Sequence, residues 1–195
     1  MTTNIHITGD DSADALLSND PLALLVGMLL DQQVPMETAF TGPAKLLDRL
    51  AVPGATRLDA ATIADYDADE LEALFRIQPS IHRYPGSMAG RAQALCAEIV
   101  ATWGGDASAI WTTGDPDGAE ILKRLKALPG FGEQKAKIFL ALLGKQYGVK
   151  ADGWRESAGD YGLEGSYRSV ADIVDPESLT KVREFKKAAK AAAKK

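Results

Sequence analysis

The segment "DPLALLVGMLL", residues 20–30, places apolar side chains on every side of a helix. Asp20 is a good N-cap residue, and Pro21 suits the first helical position. A helix without a polar face must be buried, so the rest of the chain has to surround it. It is too short to span a bilayer, which takes about 20 apolar residues. The remaining segments are helical too. No strand-like alternation and no repeat of fixed period is present. Helical spacing recurs over 18–34, over 35–50 with an expected break near Gly42–Pro43, and over 59–66, 67–77, 87–103, 117–127, 133–147, 166–175 and 176–190. Eight or more helices with short connections predict an all-α domain. The longest stretch without helical period is "ADGWRESAGDYGLEGS", 151–166, read as a Gly-rich loop that carries Asp152, Trp154, Arg155 and Tyr161.

Composition is that of a globular domain, with 46% hydrophobic and 25% charged residues over 195 positions. The single cysteine, Cys96, excludes an internal disulfide and any Cys-ligated zinc or iron–sulfur site. It lies in an apolar helical pattern and is expected to be a packing residue. His6 and His82 are too isolated in the sequence for a His-based metal site. The start, "MTTNIHITGDDSAD", has neither the basic end nor the apolar stretch of a signal peptide. The expectation is a cytoplasmic monomer with no membrane contact, nucleoid-associated in a bacterium.

Charge is uneven. The last fifteen residues, "KVREFKKAAKAAAKK", hold six Lys and one Arg against one Glu, a net +6. The preceding residues therefore carry −11 of the total −5. This end has high helix propensity but no apolar face beyond Val182 and Phe185. Residues 180–195 are read as a basic tail after a 1–179 domain, disordered in isolation and helical against a polyanion. An acidic body with a basic end suits nucleic acid held at a small local patch and by the tail.

Such a patch is written at 128–143, "LPGFGEQKAKIFLALL". Pro129 disfavours a helical Leu128 and ends the incoming helix. Gly130 and Gly132 permit positive φ or close backbone approach. The outgoing helix begins with free N–H groups, a ready anion site, and phosphate is the commonest polymeric anion. A glycine turn can also do no more than reverse the chain.

These residues resemble the helix-hairpin-helix of the base-excision DNA glycosylases, the HhH-GPD superfamily, whose hairpin runs Leu-Pro-Gly-aliphatic-Gly. Three further segments resemble the same family in its order. "LLVGMLLDQQVPMETA" is similar to the early helix that ends in a Gln turn by the extruded base. "RYPGSMAGRAQALCAEI" is similar to the long helix before the hairpin. "LLGKQYGVKAD" delivers Asp152 eighteen residues after Gln134, the offset of the family's catalytic aspartate. The resemblance covers about residues 20 to 155. It implies a two-lobed helical fold with the cleft between lobes and the hairpin at its mouth. It also implies double-stranded DNA with a damaged base as partner and hydrolysis of the N-glycosidic bond.

The resemblance assigns roles residue by residue. Asp152 is the expected catalytic carboxylate. Gly130, Phe131, Gly132, Gln134, Lys135 and Lys137 are the expected DNA contacts. Gln32, Gln33 and Trp154 are the expected base-pocket or backbone contacts, with Tyr84 and Arg91 as weaker candidates for pocket and phosphate. Asp31, beside the glutamines, reads as a solvated residue first and as a second pocket carboxylate only after that. Trp103 and Trp111 are core residues or stacking partners. Family hairpins hold a monovalent cation, Na+ or K+, on backbone carbonyls, here within 128–132. Bifunctional members carry a nucleophilic lysine where this chain has Gln134, which implies a monofunctional enzyme without a Schiff-base step. The four-cysteine cluster of endonuclease III and the adenine-mismatch enzymes is absent. "DGWRES" departs from the family's continuation after the aspartate. That departure leaves a non-catalytic DNA-binding protein as the alternative, with a plain helical scaffold as a third reading.

Overall fold

The structure is a computed structural model that describes residues 4–193. Among the described residues every regular element is helical, so the chain is all-α. Helices α1 (Asp11–Asn19) and α2 (Pro21–Leu30) meet at Asp20, which ends the first and caps the second. The Asp20 carboxylate is buried, accepts the Leu22 N–H at 2.9 Å, and reaches across to the Leu58 N–H at 2.8 Å. Every residue of α2 from Leu22 to Leu30 is buried, as its all-round apolar surface requires. It stops at Leu30, not at residue 34.

α3 (Met36–Leu50) lies against α2 at contacts written as glycines. A Cβ on Gly27 would sit 2.6 Å from the Phe40 ring, and one on Gly42 would sit 2.6 Å from Leu30 Cδ1. The expected break at Gly42–Pro43 does not occur, and α3 runs through Pro43. The missing Pro43 N–H costs one helical bond, but Gly42 lets the helix close onto Leu30 and Ile81. α4 (Ala60–Ala64), α5 (Ala68–Arg76) and α6 (Pro85–Trp103) complete this group. Asp59 and Asp67 cap the first two of these with their side chains. Cys96 is fully buried on α6, and burial pushes its thiol up to about 12.

The second group is α7 (Ala109–Thr112), α8 (Gly118–Lys126), α9 (Glu133–Lys145), α10 (Trp154–Ala158) and α11 (Pro176–Ala192), with 3-10 turns at 159–162 and 170–172. α9 is its centre, with Ile138 through Leu143 buried. α2 packs on both α6 and α9, and through it the two groups share one core. No single helix among the described residues is long and apolar enough to cross a membrane.

Further expectations are corrected. The segment 151–166 is not one loop. It holds α10 and a 3-10 turn, both short. Residues 166–175 form no α-helix. Asp172 takes the Arg168 and Ser169 N–H groups and the Lys145 ammonium at 2.5 Å, so its side chain organises a tight turn there. The basic end through Ala192 is helical without a polyanion present. A capping box between Asp175 and Ser178 starts α11, Val182 is buried, and acidic residues of the body receive its cations. The boundary drawn at 179/180 falls inside this continuous helix. Lys194 and Lys195 lie outside the described residues.

Candidate functional site

The glycine turn joins α8 to α9. Gly130 has φ +81°, which favours glycine, and a Cβ there would also press on the end of the Leu29 side chain, 2.4 Å from its Cδ1. Gly132 is different. It is the N-cap of α9 with φ −73°, and open space surrounds it. No side chain caps the helix. Among the described residues the N–H groups of Gly132, Glu133, Gln134 and Lys135 find no acceptor. Four consecutive free donors at a helix start form an anion site by geometry. Glu133 gathers Lys137 at 2.8 Å and Lys126 at 3.8 Å beside them. The carbonyls of Leu128 and Gly132 accept from Phe131 and Ala136, whereas those of Pro129, Gly130 and Phe131 accept nothing among the described residues. Hard, neutral oxygens of that kind fit an alkali cation.

Two expected DNA contacts are placed otherwise. Phe131 is buried, its ring edge-on to Phe139 at 6.0 Å, so only its backbone can face a ligand. Lys135 does not flank the turn. It points into a cavity of about 550 Å³, within the size range of small-molecule sites. Lys135 Nζ donates to the Leu29 carbonyl at 2.6 Å. Burial pushes its pKa down to about 8, against the attraction of Asp31.

The cavity wall comes from four places. The turn after α2 supplies Asp31, Gln32 and Gln33; α9 supplies Gln134, Lys135 and Ile138; the segment after α10 supplies Tyr161 and Arg168; α11 supplies Phe185 and Lys186. The Asp31 side chain is only 11% exposed. Burial raises its pKa, opposed by Lys186 at 3.6 Å and by Lys135. Gln134 Nε2 donates to the Tyr161 hydroxyl at 2.9 Å. Gln32 is held by its backbone, whose carbonyl lies 3.0 Å from His82 Nε2, and its side-chain amide meets the Met88 sulfur at 3.2 Å. Gln33 is exposed with φ +58°. Both glutamines also border a smaller hollow of about 280 Å³ lined by Tyr84, Ser87, Met88 and Arg91.

Asp152 is not brought to this cavity. It is exposed, and its carbonyl accepts the Gly118 N–H at 2.7 Å at the far end of α8 from the turn. Nine residues of α8 at about 1.5 Å each separate it from the turn by on the order of 14 Å. The cause is two glycines. Gly118 admits the Trp154 backbone, where a Cβ would lie at 2.4 Å, and Gly144 admits the Trp154 ring. Together they pin 152–154 at that far end. Trp154 is therefore packed between helices, with Arg155 over its ring at 4.5 Å, and lines no pocket with the glutamines. Trp111 packs on Phe139 and Tyr147, and Trp103 lies under Arg124. What the chain carries back to the start of α9 is Tyr161.

Tyr161, Arg168, Phe185 and Lys186 were not among the residues expected to form the site. The only sequence signal for the last two was Phe185, an aromatic inside a Lys/Ala run. The assembled cavity sets a recessed carboxylate and a half-buried amine of lowered pKa beside an open helix start. No protein-family model, curated protein or solved structure matches this chain.

Proposed function

We propose that this chain is a base-excision DNA glycosylase that breaks the N-glycosidic bond of a damaged base in duplex DNA. One observation carries the reading: α9 begins with four free N–H donors and, within the same first turn, places Gln134 and Lys135 in the cavity that holds Asp31. A backbone phosphate anchored at the donors leaves an extruded nucleotide within reach of a carboxylate and an amine. The two groups of helices joined through α2 and α9 are read as the two lobes of a glycosylase-like fold, with α8, the turn and α9 as its helix-hairpin-helix. An alkali cation on the free carbonyls of 129–131 would add positive charge beside the phosphate.

In this reading Asp31 takes the part that the sequence offset gave to Asp152. A carboxylate facing C1′ stabilises the positive charge that develops on the sugar as the base departs. Gln134 and Tyr161 form one hydrogen-bonded pair at the cavity wall and offer donors and acceptors to the base edge. Gln33 and Lys137 remain candidates for backbone contact.

A second reading of the chemistry is favoured by Lys135. Gln134 at the usual nucleophile position implies a monofunctional enzyme, but the neighbouring residue is a half-buried lysine whose pKa is lowered to about 8. An amine so lowered is a competent nucleophile. Its attack at C1′ would form a C1′–N bond as the bond to the base breaks and the base departs protonated. Opening of the C1′–O4′ bond, with a proton passed to O4′, would then give an imine that borohydride reduces to a stable adduct. The test is a panel of duplexes bearing uracil, alkylated, oxidised and deaminated bases. Samples are treated with alkali to reveal abasic sites, and in parallel with borohydride. Base release without an adduct supports the hydrolytic enzyme. An adduct mapped to Lys135 supports the amine route. Binding without release from any duplex supports the non-catalytic DNA-binding alternative.

A further inference from the structure

The basic end of the chain has a place in the fold that its composition does not explain. α11 is anchored only at its beginning. Ser178 and Val182 are its buried residues, and the capping box secures its first turn. From Arg183 onward no described residue is buried. Beyond Val182 the helix meets the body through ion pairs and through Phe185 and Ala189 at the cavity wall. Arg183 Nε meets Glu37 Oε1 at 2.5 Å, Lys186 meets Asp31 at 3.6 Å, and Arg168 lies over the Phe185 ring at 5.4 Å.

These ion pairs are lopsided. The acids are recessed, with Glu37 18% and Asp31 11% exposed, while Arg183 and Lys186 are 56% and 39% exposed. The cations can swing outward to another anion, and the acids cannot follow. With one partner exposed and the other recessed, such pairs remain open to salt and to a competing anion on the cation's side. Lys187 and Lys190 add two further exposed cations to the same helix. Duplex DNA carries about one negative charge per 1.7 Å of axis, far denser than one glutamate and one aspartate.

We propose that α11 is a phosphate-released latch. In the free protein Lys186 and Phe185 cover Asp31 and part of the cavity. A DNA backbone draws the α11 cations to itself, parts them from Glu37 and Asp31, and leaves Asp31 open to an incoming nucleotide. The inference rests on the reading of DNA as partner, but it requires no base release.

The experiment uses the whole chain with spin labels on Asp48→Cys of α3 and Ala188→Cys of α11, both exposed in the native protein. The buried Cys96 is left unlabelled. Distance distributions are recorded alone and with a short undamaged duplex, whose binding is followed by anisotropy. The free protein is expected to show one narrow distance that moves outward and broadens with duplex. Glu37→Gln is expected to broaden the free distribution. It should also tighten duplex binding roughly three- to tenfold, since Arg183 is no longer held back. An unchanged distribution with duplex bound overturns the latch. So does a Glu37→Gln variant that binds no tighter, or a chain that binds no duplex at low salt. A latch that opens in a protein releasing no base would stand while the glycosylase reading fails. Base release over a fixed α11 would do the reverse.

Discussion

Lys135 donates to the Leu29 carbonyl at 2.6 Å and so ties the first turn of α9 to the last turn of α2. The residues concerned are more than a hundred positions apart. That bond, with the packing of α2 on α9, sets the open helix start and the Asp31 turn at one cavity. The carbonyl belongs to the negative end of α2, which favours a cation. Burial opposes this and lowers Lys135 to about 8.

A pH dependence follows. The unfolded chain holds the Lys135 proton up to about 10.4, while the folded one releases it near 8. Between those values the unfolded state binds more protons, so stability attributable to Lys135 rises with pH from about 8 to 10.4. Urea unfolding across this range should show wild type gaining on Lys135→Met as pH rises. Parallel curves would mean that Lys135 is solvated and titrates like a surface lysine.

The two turn glycines should separate. Gly130→Ala forces a side chain into the left-handed region and against Leu29, costing about 1–3 kcal/mol of stability. Gly132→Ala meets open space and should leave stability within about 0.5 kcal/mol. Its effect should appear on DNA, as a several-fold loss of duplex affinity from blocked phosphate approach. Thermal melts and duplex titrations of both variants check this. Equal destabilisation would contradict the assignment of separate duties.

Asp20 should be costly to remove. It caps α2 and also satisfies the buried Leu58 N–H. Asp20→Ala loses a cap and strands a donor, together about 2–4 kcal/mol. Chemical denaturation measures it, and a loss under 1 kcal/mol would show that water replaces the carboxylate.

Much of the helix order was legible because propensity, caps and apolar spacing agree locally, as at Asp20–Pro21 and at the glycine turn. α1, α7 and the elements within 151–166 were not, although α4 and α8, no longer than α10 and α1 respectively, were. The site was half legible. The glutamines and the α9 start stand in motifs on single helices, whereas Asp31, read there as a solvated residue, enters the candidate site only through the fold. Asp152 was misplaced because its position depends on where the chain turns after α9. That turn is decided by Trp154 fitting against Gly118 and Gly144, a contact between distant residues. Lys186 was hidden for the same reason. Only the docking of α11 reveals that one lysine of the basic end faces a recessed acid.

Asp31, not Asp152, lines the cavity proposed to receive the nucleotide. The most direct test is single-turnover base release from the duplex the wild type processes best, measured for Asp31→Asn and Asp152→Asn. Loss of a preorganised charge facing the sugar predicts a fall of roughly a hundred- to a thousandfold for Asp31→Asn. Asp152→Asn should stay within about twofold of wild type, since it changes an exposed side chain remote from the cavity. Near-normal release by Asp31→Asn, with loss of release by Asp152→Asn, would contradict the account.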